Sequence, residues 1–247
     1  MTKMKLNLEN LLMEHTNDSI ATLCKSAKGS FTTTELLDLI LLCESKDLQL
    51  AYDVMLAALE AAPSEIILQR LSEFFTQHPY FFSPTPGKGP ELSRFQDAVH
   101  KIISEGKSYS QYAIANFLYT LELLFAYGYH TLRSEITALY RLMETTPYAC
   151  DETFRIQQQL AVVYQYNGRN FRHIKKMLKK TRQYCKCAGL HHLKRVVHYY
   201  YAVLMVLRND NSDQSHLQKA CEKKYPLAHI LRDHSEINSE TPKRSIF

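Results

Sequence analysis

Residues 48–65 read LQLAYDVMLAALEAAPSE. Leu48, Ala51, Met55, Ala58 and Leu59 recur at helical spacing and so fall on one stripe of an α-helix. Pro63 has no amide hydrogen to donate and ends that helix, while Ser64 and Glu65 open another whose apolar positions are Ile67, Leu68, Leu71, Phe74 and Phe75. On the other side, Thr32 to Thr34 with Glu35 form a capping signal before Leu36, Leu37, Leu39, Ile40, Leu42 and Cys43. Only Glu44 to Asp47 separates that run from Leu48. Three helices joined by very short connections are therefore expected over this part of the chain.

The rest of the sequence continues the pattern. Only 7 Gly and 8 Pro occur in 247 residues, too few for the many turns of a sandwich or barrel. Helical patterns run over 91–105, 109–127, 132–144, 151–166, 171–187 and 190–207, with a short pair after Asp213. The fold class expected is all-α, an α-solenoid of stacked antiparallel helix pairs with about 11–13 helices. Two short helices are expected within 7–27, the second capped by Asn17 and Asp18. Helix 109–127 is apolar nearly all round and reads as the centre of the core. Residues 1–76 form an N-terminal helical part and 91–232 a C-terminal one. Between them, 77–90 holds Pro79, Pro84, Pro86, Gly87, Gly89 and Pro90 and reads as a tether between two halves. Residues 233–247 turn polar without periodicity and are expected to be a mobile tail.

The small Ala51 and Ala58, the bulky Met55 between them and the closing Pro63 resemble the second helix of a tetratricopeptide repeat. In such a helix the small residues let a neighbouring helix approach and the bulky one fills the groove. Leu160, Ala161, Tyr164, Gly168, Phe171, Ile174 and Leu178 are similar to another unit of that family, although Thr181 stands where it prefers a small apolar residue. Gly128 and Pro147 mark a third. The resemblance spans about residues 31–225 and implies a helical-repeat scaffold that grips a peptide or partner helix in the groove between repeats.

Charge is distributed very unevenly. Residues 153–209 contain twelve Lys and Arg and no Asp or Glu, whereas residues 1–152 hold 12 Lys and Arg against 19 Asp and Glu. On helix 171–187, Phe171, Ile174, Met177, Leu178, Thr181 and Cys185 share one arc, and Arg172, Lys175, Lys176, Lys179, Arg182 and Lys186 occupy the other. On the next helix Leu190, Leu193, Val197, Tyr200, Leu204 and Leu207 face inward, while His191, Lys194, Arg195 and His198 line another side. Arg169 and Lys180 complete the positive surface expected of the two helices. Like charges at i, i+3 and i+4 repel by about 0.2–0.5 kcal/mol per pair, so a face without acidic relief points to an anionic partner. An acidic protein, the backbone of RNA or DNA, and the acidic N-terminal part of a second copy in a homo-oligomer all fit that field. For nucleic acid, Tyr184, Tyr199 and Tyr201 would have to be exposed to stack on bases; the competing reading of Tyr199-Tyr200-Tyr201 is core packing.

Other chemistry is poorly supported. Gly-Lys-Gly at 87–89 lacks the preceding strand, glycine spacing and following Ser or Thr of a phosphate loop. Cys185, Cys187, His191 and His192 lack zinc-site spacing, so no metal or cofactor is expected. No acid/base pair, nucleophile motif or paired-histidine motif is evident, and no enzyme is expected. The six cysteines read as reduced thiols, the N-terminus does not read as a secretory signal, and no apolar run reaches membrane-spanning length. The expectation is a cytoplasmic or nuclear interaction scaffold with no membrane contact; nucleic-acid binding is the alternative, and a helical enzyme whose site is assembled from distant residues is the third reading.

Overall fold

The computed structural model describes residues 31–82, 92–144, 152–210 and 214–240, together with 19, 20 and 22. Among these there are eleven α-helices and no strand, as expected of an all-α chain. The expected helices within 7–27 and the Gly-Lys-Gly at 87–89 lie largely or wholly outside the described residues. The chain divides into two compact units, Met1–Phe117 and Leu118–Phe247.

The first unit contains α1 (Thr33–Glu44), α2 (Leu48–Ala61), α3 (Glu65–Gln77) and α4 (Leu92–Ser104). Side chains set the first three starts. Thr32 and Glu35 form a reciprocal capping box: Thr32 Oγ1 accepts from the Glu35 amide at 3.3 Å, and Glu35 accepts from the Thr32 amide at 2.7 Å. Asp47 accepts from the Gln49 amide at 2.8 Å, and Ser64 from the Ile67 amide at 3.4 Å. Helix α2 packs against α1, α3 and α4 with Ala51, Met55 and Ala58 buried.

Tyr52, Phe74, Phe75, Phe82 and Phe95 form a buried aromatic cluster, in which the Phe95 ring lies 4.9 Å from Phe75 and 5.3 Å from Phe82. Because Phe82 and Phe95 stand on either side of the Pro/Gly-rich stretch and enter the same cluster, and Arg94 pairs with Asp53, segment 77–90 connects helices of one unit. It is not the tether between halves that its composition suggested; the division falls within the next helix, α5 (Gln111–Ala126).

The second unit takes the end of α5, then α6 (Arg133–Glu144), α7 (Glu152–Leu160) running into a 3₁₀ turn at Ala161–Gln165, α8 (Phe171–Cys187), α9 (Leu193–Leu207), α10 (Ser215–Glu222) and α11 (Pro226–Glu240). Leu121, Leu124 and Phe125 of α5 are fully buried, in keeping with its apolar sequence. The hub of this unit is nevertheless α9, buried at every residue from Val196 to Leu204 and packed by α7, the 161–165 turn, α8, α10 and α11. Helix α11 runs through Glu240, so the part of the expected tail from 233 to 240 is helical, and 241–247 lie outside the described residues. With no Gly or Pro between Leu227 and Glu240, nothing in the backbone stops propagation of the helix once α11 has started.

After α5 the chain turns at Gly128, whose φ of +101° suits glycine, and a Cβ there would lie 2.5 Å from the His234 ring of α11. Gly128→Ala should therefore lower stability by roughly 2 kcal/mol, read as a lower urea midpoint. An unchanged midpoint would show that neither the turn nor the seat of His234 depends on glycine.

Candidate anionic-partner site

Helix α8 is amphipathic in the way its sequence implies. Ile174, Leu178, Thr181 and Cys185 are buried, with Phe171 and Met177 half-buried beside them. Thr181 satisfies its hydroxyl by donating to the Met177 carbonyl at 3.1 Å, which lets a polar residue sit on the packed face. On the other side Arg172, Lys175, Lys176, Lys179, Lys180 and Lys186 are exposed, and Arg169 is exposed in the preceding loop.

Three of the ten expected cations differ from the rest. Arg182, Lys194 and Arg195 are half-buried, so the open positive face belongs mainly to α8 and less to α9 than the sequence suggested. The charge of Arg182 acts on His198 and Tyr201 of α9. His198, expected beside the cations, is buried and hydrogen-bonded to His216 of α10 with 2.8 Å between their Nδ1 atoms.

Among the described residues no carboxylate pairs with any of the ten. The first turn of α8 has no acidic residue and no side-chain cap, although a helix N-terminus favours negative charge. Arg172 and Lys176, Lys175 and Lys179, and Lys176 and Lys180 repel at i, i+4. Glu152, just before the basic stretch, accepts instead from the Tyr184 hydroxyl at 2.5 Å.

Tyr199, Tyr200 and Tyr201 are buried, so these rings pack the core and are not an exposed surface on which bases stack. Tyr184 is half exposed. Cys185 is buried whereas Cys187, His191 and His192 are exposed, and burial pushes the Cys185 thiol above its usual range. Among the described residues no group of three or more His, Cys, Asp or Glu is placed to hold a metal ion, and no helix is long and apolar enough to cross a membrane.

Sequence reading missed one cluster, where Glu122 of α5 is buried beneath three tyrosine hydroxyls. Tyr200 donates to Glu122 Oε1 at 2.7 Å, Tyr140 at 3.1 Å and Tyr164 at 3.3 Å, and the Tyr140 and Tyr200 hydroxyls lie 3.0 Å apart. Burial raises the Glu122 pKa, and the tyrosine hydrogen bonds pull it partly back. A lone acid interrupting an apolar helix was the available signal. The cluster has no exposed member and no opening to solvent for a ligand, since Glu122, Tyr140, Tyr164 and Tyr200 are all buried, so it acts as a polar pin in the core. Compared with protein families, characterised proteins and solved structures, the chain matches none.

Proposed function

We propose that this protein is a non-catalytic helical-repeat scaffold of tetratricopeptide-like type whose α8 face docks an acidic partner protein. The observation that carries the reading is the row Arg172, Lys175, Lys176, Lys179, Lys180 and Lys186, all exposed and none paired with a carboxylate among the described residues. An anion supplied in trans relieves both the repulsion within this row and the uncapped, acid-free first turn. The burial of Ala51, Met55 and Ala58 between α1, α3 and α4 supports the repeat reading of the first unit. The burial of Tyr199, Tyr200 and Tyr201 favours an acidic protein over an unpaired nucleic acid.

Changing Lys175, Lys176 and Lys179 together to Glu tests this. All three are exposed, so the helical spectrum and urea midpoint should hold to within about 0.5 kcal/mol per site. Affinity for a polyglutamate peptide should fall roughly 10- to 100-fold, and the wild-type interaction should weaken steeply with salt. Lys3→Glu with Lys5→Glu controls for net charge. Unchanged peptide affinity in the triple variant overturns the proposal, and preferential competition by an oligoribonucleotide transfers the face to nucleic acid.

A further inference from the structure

The basic face ends in a concavity. Where the loop before α8 meets the end of α9, a solvent-open cavity of about 470 Å³ is lined by Arg169, Asn170, Phe171, Arg172, His173 and Arg208, with no carboxylate in its wall. Its three arginines come from three separate places: the 167–170 loop, the first turn of α8 and the residue that caps α9. Arg208 is also pre-positioned, its guanidinium carbon lying 4.1 Å from the Phe171 ring centroid. Phe171 is itself braced edge-on by Tyr166, with centroids 6.2 Å apart. Arg208 also pairs with Asp210 at 3.6 Å, a residue outside the lining.

We propose that this cavity binds a phosphate monoester carried on a side chain of the acidic partner, a refinement that rests on the basic-face reading above. Each guanidinium presents a fork of donors on a fixed plane, so three forks and an imidazole around one space offer more donors and charge than a single carboxylate can use. A phosphomonoester carries close to two negative charges and three terminal oxygens, which match such a set. A phosphodiester within a nucleic-acid strand carries one charge per phosphate and is flanked by chain on both sides, so it suits a row of cations better than a single cavity. The row is also present: Lys175, Lys176, Lys179 and Lys180 continue from the cavity along α8, where acidic residues flanking the phosphorylated one would lie.

The test uses the full chain and three fluorescent probes: an acidic peptide of glutamates with one phosphoserine, the same peptide unphosphorylated, and a 5′-phosphorylated oligonucleotide. The phosphopeptide should bind about tenfold more tightly than its unphosphorylated twin. In Arg208→Gln most of that advantage should disappear while the unphosphorylated peptide binds as before. In Arg208→Lys, which keeps the charge and loses the fork, the advantage should shrink, and this variant guards against loss of the stacking on Phe171 being mistaken for loss of the site. The triple lysine variant should lose affinity for both peptides yet keep their ratio. Equal affinity for the two peptides in the wild type, or an advantage that survives both arginine variants, overturns the phosphate site and leaves the basic face standing. Tighter binding of the oligonucleotide than of the phosphopeptide also overturns it. If neither peptide responds to the lysine changes, the basic-face reading fails first.

Discussion

Replacing Glu122 by leucine is expected to destabilise the protein by about 3–5 kcal/mol, although leucine is the commoner residue in a buried helix. The carboxylate accepts from Tyr140, Tyr164 and Tyr200, which come from α6, the 161–165 turn and α9. Leucine provides no acceptor. The Tyr140 and Tyr200 hydroxyls can still bond to one another across their 3.0 Å separation, so one satisfies the other. The remaining donors are stranded in the core at about 1–3 kcal/mol each, and the branched side chain must also fit a space shaped for a planar carboxyl. Glu122→Gln keeps one oxygen as an acceptor and should cost only about 1–2 kcal/mol.

The order of the two variants is the informative quantity, read from urea midpoints at neutral pH. Leucine equal to or better than glutamine would mean that the tyrosines repack without the acid. The raised Glu122 pKa has a linked consequence: the folded state keeps its proton above the ordinary carboxyl value of 4.5, where the unfolded chain releases it. Stability from this group is therefore full below that value and declines as pH rises through the folded pKa. Glu122→Gln removes that decline.

The local rules of the chain could be read before the fold was seen. Thr32 with Glu35, Asp47 before Leu48 and the Pro63-Ser64 break all act within a few residues, and each end of α1 and α2 lies where that chemistry puts it. The two arcs of α8 followed from period alone, because burial of Ile174, Leu178 and Cys185 leaves the lysines only the outside. Arrangements that depend on long-range packing were not legible. Glu122 meets Tyr200 across 78 residues, and Arg208 reaches Phe171 only because the end of α9 returns beside the start of α8. The aromatic cluster had the same effect on segment 77–90: its prolines and glycines exclude helix, but Phe82 and Phe95 decide what the segment connects. Lys194 and Arg195 show the limit of a helical wheel. It assigns them to a side of α9, and the neighbours that half-cover that side come from elsewhere in the chain.

Acidification from pH 7 to 4 should remove stability in a window set by imidazoles rather than carboxylates. His198 is lowered to about 4, first by burial and then by interaction with His216, Arg182, Lys219 and Lys223. His130, in the turn before α6, is lowered to about 4 by burial and then by His234 of α11, itself lowered by burial. At 2.8 Å the Nδ1 atoms of His198 and His216 can share one proton but cannot both donate, so a second proton breaks their bond. Below the ordinary imidazole value of 6.5 the unfolded chain binds protons that the folded state excludes. Stability is accordingly full above about pH 6.5, falls between about 6.5 and 4, and loses nothing further from these groups below that. Discounted for solvent screening, each of His198 and His130 contributes about 1–2 kcal/mol to the loss. Glu122, most stabilising when protonated, acts against this loss over the same range, so the pH series is read in the Glu122→Gln variant. Urea midpoints measured at intervals of pH should show the fall, and His198→Asn, which can still hydrogen-bond to His216 but does not titrate, should flatten part of it. A midpoint constant from pH 7 to 5 would mean that both rings accept protons in place, and α10 and α11 would then be seated by their apolar residues Leu217, Leu227 and Leu231 without regard to the histidines.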